Sequence, residues 1–408
     1  MTTAVSPPHA KTADPPSAPS GARLVGVDLA RGLAVFGMYA AHVGPDPADG
    51  GVGGVLLELT HGRSSALFAL LAGFSLVLIM GRTAPRTGRD GRQAAVRVLV
   101  RAALLLVAGT ALTMTGTPVA VILACYGLYF VLALPLYRLG VRALAGIAAA
   151  GALLMPQVLF PLQESARESA WAEHVTALDP LAAISGTDGL LGLLVTGVYP
   201  APTWLPFVVA GMAVARLDLG SARIRGRLAA LGAGLAVLGY GCSWLALRLP
   251  GVMERLIEHA GPTDRDLASL WWSDVGGYPS GGTSAWQLVA SPHSDTTLSV
   301  MGNTGVALLV LVLVLALCLS LTGGRATWPR RVAAPVCAVG SMSLTAYVLH
   351  SGGIGLLGIE ELPGSPPGVL AGFVVLMTAL AVAWTRFFRR GPLEQLLHSA
   401  TGVARRVR

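Results

Sequence analysis

Four of the eight histidines in this 408-residue chain stand where apolar segments end or begin. His42 closes the first apolar run, His61 precedes the second, His293 precedes the eighth and His350 closes the ninth. Segments far apart in sequence thus offer imidazoles at one common depth. A neutral imidazole can take up a proton near pH 7, so such groups suit general-base work on an acceptor hydroxyl or amine. The plainer alternative is that helix ends are polar and tolerate histidine. No metal site is expected from these histidines, because no closely spaced His pair occurs and carboxylates are scarce beside them.

Other polar residues could also carry chemistry. Arg63 follows His61 and precedes Ser64 and Ser65. Buried beside an apolar helix, its guanidinium would need an anionic partner. Asp28 and Arg31 lie one turn apart and read either as a local ion pair or as the polar mouth of a tunnel. Arg97 and Arg101 share a helix face at i, i+4 and could meet phosphates, although Arg is common at cytoplasmic helix ends. Trp271, Trp272 and Trp286 fit an interfacial aromatic belt or a sugar-stacking surface. Gly32, Gly37, Gly73, Gly109, Gly127 and Gly211 fit close helix packing. Phosphate-loop, dinucleotide-binding, nucleophile-elbow and zinc-protease motifs are absent, so the common ATPase, dehydrogenase and hydrolase classes have no support.

The elements that must position these residues are long and apolar. The chain is 53% hydrophobic and 12% charged, against about 25% charged in soluble domains. A spanning helix needs about 20 mostly apolar residues. Ten segments qualify: 24–43, 64–81, 94–113, 117–136, 141–160, 189–215, 227–247, 298–321, 334–355 and 367–386. The gaps between them sort the charges. Of 29 Lys and Arg, only Arg63, Arg167, Arg248, Arg255 and Arg265 fall in the second set of gaps. That set also holds most of the 21 acidic residues, including Glu164, Glu173, Asp179, Asp188, Glu360 and Glu361. Short loops rich in Arg stay cytoplasmic. The expected fold is therefore all-α, a polytopic membrane bundle of about ten transmembrane helices with both termini cytoplasmic. The net charge of +8 is orientation charge spread over separate loops, and no nucleic-acid partner is expected.

Residues 1–22 are rich in Pro, Ala and Ser and read as a disordered cytoplasmic tail. The membrane domain is expected over 23–390, with a second cytoplasmic tail over 391–408. Four cysteines, all inside apolar segments, give no disulfide framework. Arg outnumbers Lys 28 to 1, which suggests a GC-rich bacterial genome and hence the bacterial plasma membrane. The sixth segment contains Pro200, Pro202 and Pro206, which cannot all sit in a regular helix. Either a half-helix precedes the true span, or the break lines a pocket.

Several stretches resemble a known group. Arg23–His42 (RLVGVDLARGLAVFGMYAAH) and His61–Leu76 (HGRSSALFALLAGFSL) resemble bacterial relatives of the heparan-α-glucosaminide N-acetyltransferases. Tyr199–Leu219, Ser291–Gly305 and Val339–Ser351 carry further motifs of that group. The end, Phe387–Thr401 (FFRRGPLEQLLHSAT), resembles the C-terminus of the DUF418 membrane family, which is expected over about 200–400. At Asp295 the resemblance leads one to expect glycine. It implies an acyl group carried from cytoplasmic acyl-CoA, acetyl-CoA among them, to an extracytoplasmic acceptor such as a sugar or another glycan or small molecule. On that reading His61 or His42 is the catalytic base, or forms an acyl-His. Arg63, Ser64, His293, Asn303, Tyr347 and His350 would hold the oxyanion or acceptor. Asp28, Arg31, Arg82, Arg97 and Arg101 would receive the coenzyme. A multi-pass transporter without chemistry and a non-catalytic scaffold are the alternatives, and a homodimer is a further expectation.

Overall fold

A computed structural model describes residues 20–82, 84–167, 169–260, 267–275, 281–323 and 328–407. The tail expected over 1–22 lies largely outside the described residues, as does Arg265. Among the described residues seventeen α-helices follow in chain order. The first six are α1 (Ser20–Val43), α2 (Gly51–Glu58), α3 (Arg63–Met80), α4 (Gly88–Thr113), α5 (Leu123–Ala133) and α6 (Val141–Ala166). Then come α7 (Ala170–Leu178), α8 (Pro180–Ser185), α9 (Gly189–Leu191), α10 (Ala201–Ala215), α11 (Ala222–Ala246) and α12 (Val252–His259). The last are α13 (Thr297–Gly323), α14 (Trp328–Ser341), α15 (Ser343–Leu357), α16 (Pro367–Thr385) and α17 (Pro392–Ala400). Among the described residues there is no β-strand.

All ten apolar segments are helical or mostly so, yet six of these helical stretches are long and apolar enough to cross a membrane. Two bent pairs raise the number to eight if each is one span. The segment 117–136 yields only an 11-residue α-helix followed by a 3₁₀ turn, Leu134–Arg138. Among the described residues six to eight candidate spans therefore stand where the sequence suggests about ten.

Both bent pairs follow from local chemistry. Gly189–Thr196 meets α10 at 70°, and the break runs through Tyr199 and Pro200. The expectation that the three prolines exclude a regular helix needs correction. Pro200 is the N-cap and Pro202 lies in the first turn, where no intrahelical N–H is needed, and only Pro206 sits inside α10. Ala333–Ser341 meets α15 at 83°, with Met342 outside helical geometry between them. There Glu394 of the GPLE stretch caps α15. Its carboxylate accepts from Leu344 N (2.7 Å), Thr345 N (3.2 Å) and Thr345 Oγ1 (2.7 Å). A carboxylate on the exposed N–H groups of a helix start is favourable both as a hydrogen-bond partner and toward the helix dipole.

Small residues let the central helices touch backbone to backbone. A Cβ on Gly73 would run into the Val208 carbonyl, and one on Gly211 into that of Leu70, so α3 and α10 are in direct contact. Gly32 likewise approaches Val336 on α14, and Gly109 and Gly127 bring α4 and α5 together. The main core gathers around α1, α3, α5, α10 and α13, with Tyr39, Phe74, Tyr129 and Phe207 almost fully buried. This rigid centre fixes where the ends of α1, α3, α10 and α13 lie.

Candidate active site

Those ends surround a cavity of about 1080 Å³, lined by His42, His61, His293, Tyr199, Asp274 and Asp295 among others. His61 lies in the turn between α2 and α3. Gly62 follows it with φ +61°, and a Cβ there would lie 2.8 Å from the Cβ of Pro292. Glycine thus meets both needs, the left-handed backbone and the close approach of the 291–296 segment. His61 Nδ1 is 3.2 Å from Asp274 Oδ1 and 3.9 Å from Glu58 Oε2. The Asp274 N–H donates to Glu58 Oε1 at 3.2 Å, which ties the two carboxylate-bearing segments together. Carboxylate oxygens accept, so Nδ1 carries the hydrogen, and in the neutral ring Nε2 keeps its lone pair. Nε2 is buried and makes no hydrogen bond among the described residues.

His42 comes from the last turn of α1 and His350 from α15. Their rings stack in parallel with centroids 5.0 Å apart, and His42 Nδ1 is 3.3 Å from His350 Nε2. His350 is fully buried behind His42 and stacks on Tyr39 at 4.3 Å. Tyr39 in turn donates its hydroxyl to the Ala346 carbonyl at 2.8 Å, which locks α1 to α15. Of this pair only His42 lines the cavity.

The segment before α13 supplies the remaining groups. His293 and Asp295 both have left-handed backbone, φ +57° and +55°. Such conformations are uncommon outside glycine and concentrate at functional sites. His293 packs on Tyr199 and Trp204, with centroids at 5.5 and 6.0 Å. Burial pushes its pKa down to about 4, so the ring is neutral at pH 7. Asp295 Oδ1 accepts from Thr203 Oγ1 and from Trp204 Nε1, each at 3.0 Å. Burial nevertheless pushes its carboxyl up to about 8, outweighing those two hydrogen bonds.

The other expected residues lie elsewhere. Arg63 is buried but outside the cavity lining. Its fork donates to the Glu58 carbonyl (2.9 Å), the Tyr240 hydroxyl (3.0 Å), the His61 carbonyl (3.4 Å) and the Trp272 carbonyl. The anionic partner expected for it is replaced by these acceptors and by the faces of Tyr240 and Trp272. Asn303 continues this network by accepting from Tyr240 at 2.7 Å. Ser64 packs against Gly37 on α1, and Tyr347 accepts from Ile122 N at 3.2 Å. Trp286 is a buried core residue whose indole donates to the Gly281 carbonyl, so it is not part of an exposed belt.

The residues expected to receive the coenzyme divide into two groups. Arg31 pairs with Asp28 at 3.1 Å and donates to Ser75 at 2.5 Å. Arg101 lies within electrostatic reach of Arg31 and Arg390, and Arg97, Arg101, Arg390 and Arg405 all act on His398. A basic cluster thus joins α1, α4 and the C-terminal segment, at the opposite end of α1 from His42. Arg82 is spent differently. It donates to the carbonyls of Ala215 (2.9 Å) and Leu217 (2.7 Å) and fastens α3 to the end of α10.

Glu58, Asp274, Asp295, Tyr199 and Tyr240 belong to the site region, and sequence reasoning assigns none of them a role. Glu58 is within its reach, since it lies three residues before His61 on a helical turn. Asp274 comes from a long acidic loop in which nothing distinguishes it. Glu58, His61 and Asp274 bring ligand atoms within 4.8 Å of one another and could hold a divalent cation, a possibility that His spacing alone does not reveal.

The described residues thus form an apolar helical bundle with imidazoles and carboxyls around one cavity. Residues 23–239 match the family described as heparan-alpha-glucosaminide N-acetyltransferase, catalytic. Residues 268–404 match DUF418, a family of unknown function. The first match covers more than half of the 408 residues, and the chain belongs to that acetyltransferase family. No curated protein matches the chain.

Proposed function

We propose that this protein is a membrane acyltransferase that carries an acyl group from cytoplasmic acyl-CoA to a hydroxyl or amine acceptor on the other side. The observation that carries this reading is His61, held through Nδ1 by Asp274 and Glu58 in a cavity shared with His42 and His293. In this reading His61 Nε2 takes the acceptor's proton as the acceptor attacks the thioester carbonyl. The C–S bond then breaks, and the departing thiolate takes the proton back from His61. Asp274 holds the ring in the working tautomer and stabilises the imidazolium, as carboxylates do in other His-based sites.

The charge sorting supports about ten spans with cytoplasmic termini and the cavity on the extracytoplasmic side of a bacterial plasma membrane. The basic cluster then faces the cytoplasm, where Arg31, Arg97 and Arg101 would meet the coenzyme phosphates. Arg31 and His42 are about 16 Å apart along α1. An extended pantetheine arm can bridge such a gap. A sugar or similar polyol is the acceptor that the family resemblance favours.

The two bent helix pairs support a second reading, a carrier with a midplane cavity and no chemistry. Purified protein incubated with acetyl-CoA and a panel of amines and sugars decides between them. Acceptor-dependent release of free coenzyme A is expected. Movement of solutes into proteoliposomes without acyl-CoA consumption would favour the carrier.

A further inference from the structure

Glu58 closes α2 with a side chain only 2% exposed, and its two carboxylate oxygens are used unequally. Oε1 accepts from the Asp274 N–H at 3.2 Å, whereas Oε2 meets no donor among the described residues. Oε2 stands 3.9 Å from His61 Nδ1, too far for a hydrogen bond. Buried polar atoms are nearly always satisfied, so an open carboxylate oxygen calls for a partner of its own. Asp274 brings a second carboxylate to the same nitrogen, with Oδ1 at 3.2 Å. The guanidinium of Arg63 lies close by, yet its fork goes to carbonyls and to the Tyr240 hydroxyl and bonds neither carboxylate. Its charge offsets the two acids only from a distance.

We propose that Glu58, His61 and Asp274 form a binding site for a zinc-like divalent cation, and that filling it switches off His61 as a base. The switch rests on the acyltransferase reading, whereas the site does not. The ligand atoms of the three residues lie within 4.8 Å of one another. Bonds of about 2.0–2.2 Å around a tetrahedral zinc set its ligands about 3.3–3.6 Å apart. The separations of 3.2 and 3.9 Å from Nδ1 bracket that spacing. One imidazole with two carboxylates suits zinc better than magnesium or calcium, which prefer oxygen shells of about six or more ligands. Three protein ligands leave a fourth position open. His61 and Asp274 line the cavity, which supplies the entry path. Arg63 ties the Glu58 and His61 carbonyls to that of Trp272, just before Asp274. Outer hydrogen bonds of this kind hold ligands in orientation. Among the described residues no other three His, Cys, Asp or Glu side chains converge in this way.

The switch follows from the two nitrogens of one ring. Coordination uses the Nδ1 lone pair, so the hydrogen that Nδ1 carries beside Asp274 moves to Nε2. The neutral ring gains and loses no proton in this exchange. Nε2 is then an N–H donor with no lone pair for the acceptor's proton. Nδ1 serves Asp274 in one state and the cation in the other, and the two uses exclude each other.

Calorimetry with zinc chloride on tag-free, chelator-stripped, full-length protein tests the site. Wild type should take up about one ion per chain at this site, and magnesium chloride should not compete. Glu58→Gln and Asp274→Asn, each checked for monodisperse elution, should weaken binding by at least about 10–100-fold. Failure of wild type to bind, or equal binding by wild type and both variants, overturns the site. Binding lost in His42→Ala but kept in Glu58→Gln overturns it as well, by placing the ion on the His42–His350 pair. The switch is tested by coenzyme A release, read by chromatography because zinc also binds thiols. Saturating the site should lower release by about 10²-fold, with the midpoint of the calorimetric titration, and a chelator should restore it. Undiminished release with the site filled overturns the switch and leaves acyl transfer standing. Silence of the wild type toward every acyl-CoA overturns the acyltransferase reading and the switch with it, while calorimetry still decides the site.

Discussion

Replacing Arg63 by Met should disable the site without touching the cavity wall. The guanidinium bonds the Glu58 and His61 carbonyls on one side and the Trp272 carbonyl on the other. These segments carry His61 and Asp274, so Arg63 is a positioning residue for their 3.2 Å contact. Hydrogen bonds to a charged group contribute about 1.5–3 kcal/mol each, and removing a donor leaves buried acceptors unsatisfied. Three good bonds are lost, at Glu58, Tyr240 and Trp272, and neighbouring losses do not add fully, so we expect a total of roughly 3–5 kcal/mol. Heating detergent-purified protein should show the apparent Tm lowered by roughly 5–10 °C. Loosening the base by about an ångström should lower kcat by about 10²-fold, with KM for the acceptor little changed. Arg63→Lys should recover part of the stability and less of kcat, since an ammonium cannot reproduce the fork. A Met variant that melts like wild type but has lost activity would refute this reasoning and return Arg63 to direct contact with substrate.

Two further outcomes follow. His293 is held at about 4 by burial against an ordinary value of 6.5. Between those values the folded protein binds fewer protons than the unfolded chain, so stability is full above 6.5 and is lost as the pH falls toward 4. Melting curves from pH 7 to 4 should show that fall, and His293→Asn should flatten it. The topology predicts opposite labelling of Thr187→Cys and Ala222→Cys by an impermeant thiol reagent, in a Cys242→Ser background. Labelling of position 222 alone from outside would invert the orientation.

The all-helical class was legible because long apolar runs are a direct reading of a bilayer's demands. Gly32, Gly73, Gly109, Gly127 and Gly211 stand at the backbone contacts that their small size suggested. The bend at Tyr199–Pro200 was announced by its prolines. The bend at Met342 was not, because a carboxylate 50 residues away, Glu394, satisfies the new helix start. The site was half legible. Histidines at segment ends pointed to one depth, and His42, His61 and His293 do share a cavity. Their partners were hidden, since Asp274 and Asp295 differ from other loop acids only through tertiary placement. Arg63 misled for a related reason. A buried guanidinium can be satisfied by carbonyls and aromatic faces, which sequence does not display.

The central claim is that His61 is the base of an acyl transfer. Coenzyme A release should be measured with purified wild-type and His61→Ala protein in lipid nanodiscs, both checked for monodisperse elution. The expected result is acceptor-dependent release by wild type and a loss of about 10²–10⁴-fold in the variant. Equal release by both proteins would contradict the account, because it would leave the Asp274–His61 pair with no part in the chemistry.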